Sequence, residues 1–119
     1  MSWIAVGAVG GALAVVAGAF GAHALGEKLG PRELGLWETA SRYLMYGSLA
    51  LVLAGLFAGQ GARRGIEGAA WCLGLGTAVF SGTVFALALG GPRWLGAVTP
   101  VGGTLLIVGF LLFAWAAGR

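Results

Sequence analysis

Few side chains in this 119-residue sequence can do chemistry. The one histidine, His23, ends a long apolar run and precedes most of the charges, within GAFGAHALGEKLGPRELGLWETASRY (residues 18–43). The one cysteine, Cys72, lies inside another apolar run. A metal or haem site needs more ligands than these two, and the hairpin count puts them near opposite ends of the fold. No metal and no cofactor is expected. A lone cysteine makes no internal disulfide, and Cys72 reads as a small apolar packing residue. Ser81 and Thr83 carry hydroxyls deep in the third apolar run, yet no histidine lies at their depth to act as a base. Hydroxyls there usually bond a carbonyl of their own helix. GAVGGA and GPRWLGAV contain glycines but no lysine placed to grip a phosphate after a strand. No catalytic residue is assigned, and the chain is expected not to be an enzyme.

The remaining polar side chains gather toward one end of the apolar runs. They form a candidate interface cluster of His23, Glu27, Arg42, Tyr43, Tyr46, Thr99 and Thr104. Glu27 follows His23 by four residues, on one helix face, so the pair can hydrogen bond and hold the imidazole partly charged. In an antiparallel hairpin His23 lies level with the first turns of the second helix. Its expected role is a buried or interfacial hydrogen bond tying helix one to the start of helix two; the alternative is the mouth of a ligand site with Tyr43 and Tyr46. Arg42 reads as an interface anchor with a snorkelling side chain.

The elements that must position these residues are membrane helices. Hydrophobic residues make up 59% of the chain and charged ones 9%, and mean hydropathy is strongly positive, outside the range of soluble domains. Apolar runs mark four helices, about 3–25, 34–58, 68–90 and 99–117, each near the ~20 residues that cross a bilayer core. The expected fold is therefore all-α, a single integral membrane domain: a four-helix bundle, antiparallel and up-down. Trp3, Trp37, Trp71, Trp94 and Trp115 all fall near span ends, where amphipathic rings prefer the interface. AHA at 22–24 loosely fits a signal cleavage site, but no basic segment precedes the run and three similar spans follow, so cleavage is not expected. Pro31 suits a helix first turn, and Thr99 is expected to cap a fourth helix whose first residue is Pro100. The net charge of +3 does not orient the chain, because Lys28, Arg32, Arg42 and Arg93 fall on one side and Arg63, Arg64 and Arg119 on the other.

Small residues should set the packing, because lipid supplies no hydrophobic force between helices. Helix one carries Gly7, Gly11, Ala14, Gly18 and Gly21; helix two has Gly55 and Gly59; helix three has Ala70, Gly74, Ala78, Gly82, Ala86 and Gly90 at every fourth position. Tight packing through these Gly/Ala grooves is expected, at Gly7, Gly11, Gly18, Gly21, Gly74, Ala78, Gly82 and Ala86 above all.

Four stretches in register, GAFGAHAL (18–25), WETASRYLMY (37–46), FSGTVFALAL (80–89) and TPVGGTLLIVGF (99–110), resemble the domain-of-unknown-function 423 family. That family comprises small bacterial inner-membrane proteins, to which eukaryotic transmembrane protein 256 is related. The resemblance implies a four-helix protein of the bacterial inner (cytoplasmic) membrane and brings no enzymatic activity with it. Where the family's second motif usually has glutamine and histidine, this chain has Leu44 and Gly47; Phe85 and Phe110 stand where tyrosine and tryptophan are common. Any pairing of His23 with that second histidine is absent here, which favours a structural and replaceable role for it.

No Asp, Glu, Lys or Arg occupies the central part of a span, which argues against proton-coupled transport. The leading expectation is a non-enzymatic membrane protein supporting membrane integrity or assembly of a membrane complex. The alternative is a channel or carrier for a small neutral or lipid-like molecule. Expected partners are membrane lipids and a second copy or another membrane protein. Nucleic acid is not expected, since the longest basic run is Arg63-Arg64.

Overall fold

A computed structural model describes residues 2–61 and 64–118. Helix α1 spans Trp3–Phe20 and continues into a π-helical turn, Gly21–Leu25; α2 spans Pro31–Ala58, α3 Ile66–Ala88 and α4 Leu95–Ala117. All four helices are long and apolar enough to cross a membrane. At about 1.5 Å per residue, a 23-residue helix reaches roughly 34 Å, against a hydrocarbon core of about 30 Å. The 28 residues of α2 exceed that length, so its first turns stand at headgroup level.

The helix starts follow local chemistry. Ser2 caps α1 by accepting from the Ala5 N–H at 3.0 Å, satisfying one orphan donor of the first turn. Pro31 opens α2 three residues earlier than the expected 34, behind an extended Gly30, because its fixed φ suits the first helical position. Gly65 precedes α3 with φ +94°, a left-handed conformation that leaves room for the Trp115 ring against its Cα. The expected start of α4 is corrected. The helix begins at Leu95, so Thr99 is no cap and Pro100 lies inside the helix. Carbonyls of Pro92, Arg93 and Trp94 accept from the N–H groups of Leu95, Gly96 and Ala97, and this tight turn starts the helix a turn early. Pro100 removes the bond that the Gly96 carbonyl would accept, at an exposed, interfacial position where water can take its place. Arg63 and Arg119, two of the charges weighed for orientation, lie outside the described residues.

The bundle is antiparallel, and each helix packs chiefly on its neighbours in sequence: α1 on α2, α2 on α3, α3 on α4. Helix α2 touches α4 only sparsely, and α1 and α4 make no substantial contact. Only 17% of the α1 and α4 spans is buried, against 39% for α2 and α3. The core is lopsided along the membrane normal. Leu51, Ala54, Ile66, Ala69, Ala70, Leu73 and Ala116 cluster with Phe57, Leu112 and Phe113, in the half that holds the α2–α3 connection. At the same end Trp3 meets Trp71 edge to face at 5.0 Å and donates its indole N–H to the Glu67 carboxylate at 3.3 Å.

Backbones approach most closely where α3 crosses α4. A Cβ on Gly76 would lie 2.7 Å from the Leu106 nitrogen and 2.9 Å from the Gly102 carbonyl oxygen, and one on Gly109 would lie 2.9 Å from the Leu73 nitrogen. On α1 the contacts are at Gly7, against the Ser48 carbonyl and Val52, at Gly10, against the Ser48 hydroxyl, and at Gly21, against the Trp37 ring. Gly11 and Gly74 make ordinary contacts, whereas Gly18 and Gly82 face open space and Ala78 is exposed. The small-residue line expected along α3 is thus not its helix-packing face beyond Ala70 and Gly74.

Candidate functional site

At the other end, where α1 and α2 join and α3 and α4 join, α1 and α3 stand apart and leave a groove floored by α2. Its cavity is about 490 Å3, lined by Leu13, Val16, Ala17 and Phe20 of α1, Trp37 and Leu44 of α2, and Thr77, Ala78, Ser81, Gly82 and Phe85 of α3. A smaller recess of about 250 Å3 shares Leu13, Leu44, Thr77 and Ala78 with it and continues toward Val6 and Gly74. Trp37 closes the interfacial end. Its indole N–H donates to the Ala17 carbonyl at 2.7 Å, and its ring packs on Phe85 at 4.6 Å and on Phe20 at 6.3 Å. An indole N–H that leaves water needs an acceptor, and Gly21 supplies the space for the ring to reach one.

The groove is apolar except for the hydroxyl residues Thr77 and Ser81, and the hydroxyls of the bundle differ in one respect. Ser41 donates to the Trp37 carbonyl at 2.9 Å, Thr77 to Leu73 at 2.6 Å and Thr83 to Val79 at 2.8 Å. Such back-bonding within a helix is how a hydroxyl enters lipid at low cost. The Ser81 Oγ, on a residue 3% exposed, is buried and has no hydrogen-bond partner.

The expected polar cluster is dispersed. His23 is exposed on the π turn and Glu27 is exposed beyond it; no hydrogen bond joins them, so the expectation that His23 ties helix one to helix two is corrected. The Trp37–Ala17 bond makes that tie. Arg42 is exposed on α2 and reaches back to the Thr39 hydroxyl at 3.5 Å, toward the interfacial end of its helix. Tyr43 packs on Tyr46 at 5.3 Å and on Phe80 at 4.9 Å. Both tyrosines border a second groove of about 490 Å3, between α2 and α4, with Gly47, Phe80, Gly103 and Phe110. Thr99 meets Thr83, not the tyrosines, with their oxygens 2.7 Å apart, and Thr104 is exposed on α4. Cys72 is half-buried and free. Among the described residues, no group of three or more His, Cys, Asp or Glu side chains could hold a metal ion.

Two residues needed for this geometry were not assigned from sequence. Gly10 adjoins Gly11, and composition alone does not say which of the two faces α2. From sequence, Ser81 is expected to bond a carbonyl of its own helix; in the folded helix its Oγ has no partner.

A family model described as a protein of unknown function, DUF423, matches residues 17–103. The chain belongs to this family. Similar proteins bear the name UPF0382 membrane protein. One, from Staphylococcus epidermidis, is 42% identical over 96% of this chain and 93% of its own length. One from Staphylococcus saprophyticus is 42% identical over 92% and 91%, and one from Staphylococcus aureus strain USA300 is 39% identical over 92% and 89%. No solved structure matches the chain. Within this DUF423 member, Gly47 has no room for a side chain, because Thr77 of α3 fills the space its Cβ would take. The site where the family resemblance places a histidine is thus a helix contact here.

Proposed function

We propose that this membrane protein is non-enzymatic and acts as a single four-helix domain supporting the integrity of a bacterial inner membrane or the assembly of a complex within it. One observation carries the reading: the helices pack in sequence order and leave both outer helices, α1 and α4, largely uncovered. A solitary bundle would gain dispersion contacts by closing α4 onto α1, whereas an open row keeps two faces available to another membrane protein. The test is photo-crosslinking from probes at Val16 on α1 and Ile107 on α4, both exposed, in native membranes. A defined protein adduct from either face is expected, and its mass separates a second copy from a different protein. Lipid adducts alone from both faces would sink the assembly role.

A second reading, a carrier for a small neutral or lipid-like molecule, is favoured by the α1–α3 groove. Its volume lies within the ~300–1,000 Å3 of small-molecule sites, and its lining is mainly apolar with one convergent polar group, as such sites usually are. The groove runs along the side of the bundle, so this reading is of lateral binding.

A further inference from the structure

We propose that the α1–α3 groove binds an uncharged lipid with a flat, carbonyl-bearing ring and an apolar tail, the Ser81 hydroxyl donating to the ring carbonyl; this rests on the second reading above. Ser81 lines the groove, while its Oγ lies buried without a partner, so a turn about χ1 is what brings the hydroxyl to a guest. A buried hydroxyl left unpaired forfeits a hydrogen bond, so a bound acceptor recovers what the empty groove lacks. Depth selects the kind of acceptor. Ser81 lies seven residues before the end of α3 at Ala88, roughly 10 Å along the helix, below headgroup level. An ionic headgroup would be costly there, whereas a neutral carbonyl attached to a ring reaches it without desolvating a charge. The walls select the ring. Phe20, Trp37 and Phe85 form a contiguous aromatic group beside Ser81, and offset or edge contacts with a further ring add to simple burial. The recess toward Val6 and Gly74 continues the groove in the direction a tail would take. Gly82 keeps the entrance open, since a Cβ there would meet nothing within 4 Å.

The test uses the full chain in phosphatidylcholine nanodiscs and equilibrium dialysis of labelled decylbenzoquinone, with empty nanodiscs subtracted. Saturable binding at one site per chain is expected. Ser81→Ala should weaken it about fivefold, the worth of one neutral hydrogen bond. Decylbenzene, with the same ring and tail but no carbonyl, should bind about fivefold more weakly and be indifferent to Ser81→Ala. Gly82→Phe should abolish binding of both by filling the groove. Gly96→Phe, at an equally open glycine on α4, should change neither. Equal decylbenzoquinone binding by wild type and Ser81→Ala overturns the proposal. So does dioleoylglycerol displacing the quinone at equal concentration, since that lipid has carbonyls without a ring. If decylbenzene alone binds and Gly82→Phe blocks it, the carbonyl proposal fails while the groove-binding reading stands. If Gly82→Phe blocks nothing, both fail.

Discussion

Replacing Gly102 by alanine tests whether the α3–α4 crossing holds the bundle. The new Cβ would lie 2.8 Å from the Phe80 Cα and 3.0 Å from the Gly76 carbonyl oxygen, both backbone atoms that no rotamer change can move. Carbon atoms pack best at about 3.5–4.0 Å, so the helices must part by roughly 0.5–1 Å, and a gap of that size forfeits about a quarter to a half of each dispersion contact beside it. Overpacking of this kind costs about 1–3 kcal/mol, set against a gain of about 1 kcal/mol from the better helix propensity of alanine. A net loss of up to about 2 kcal/mol follows. The matched control is Gly82→Ala on α3, whose Cβ meets nothing within 4 Å; only the propensity gain applies, so stability should hold or rise by up to about 1 kcal/mol. Reversible unfolding in mixed detergent–lipid micelles, followed by tryptophan fluorescence, reads both. Equal losses from the two variants, or a loss from Gly82→Ala alone, would refute the reasoning and restore the four-residue line of α3 as the packing face.

Trp37→Phe removes the donor to the Ala17 carbonyl and should cost about 1 kcal/mol, whereas His23→Ala, at an exposed residue without a hydrogen bond, should stay within about 0.5 kcal/mol of wild type; the same unfolding assay checks both. A double-mutant cycle of Thr83→Val and Thr99→Val should give a coupling of about 0.6 kcal/mol, typical of hydroxyl pairs between membrane helices, and zero coupling would mean that each hydroxyl is served by its own helix carbonyl. Gly47→Ala should destabilise by up to about 2 kcal/mol after the propensity gain of alanine, because its Cβ would lie 2.8 Å from the Thr77 Cβ; a gain in stability in the same micelles would show that α2 and α3 can slide apart there.

The four spans were legible because hydropathy and terminal tryptophans report on the bilayer, a solvent that acts on each helix separately. The packing faces were less so, and α3 shows why. Its small residues recur every four positions from Ala70 to Gly90, but a helix turns about 100° per residue, so each step advances the line by about 40°. By Ala78 and Gly82 it has rotated out of the interface. The buried positions, Ile66, Ala69, Leu73, Gly76, Thr77, Val84 and Ala88, keep the 3.6-residue period. On α1 the line through Gly7, Ala14 and Gly21 nearly keeps phase over seven-residue steps, and these three are buried, while Gly18 has drifted off. His23 misled for a related reason: chain distance put it beside α2, but the π turn at Gly21–Leu25 sets which way each side chain points.

The same solvent argument explains how an open row can be stable. In water, the exposed faces of α1 and α4 would drive closure of the bundle; in lipid, Val15, Val16, Ile107 and Leu111 meet tails as apolar as themselves and exert no such pull. What holds α1 is then its packing along α2, closest at Gly7 and Gly10, with the Trp3–Glu67 bond at one end and the Trp37–Ala17 bond at the other. Between those ties α1 is braced against α2 alone, and the space beside α3 is left to the membrane. A groove beside a helix braced on one side only leaves the core intact, because Leu73 and its neighbours lie in the opposite half. The division of the bundle into a packed half and a grooved half thus lets one small chain combine stability with an open side.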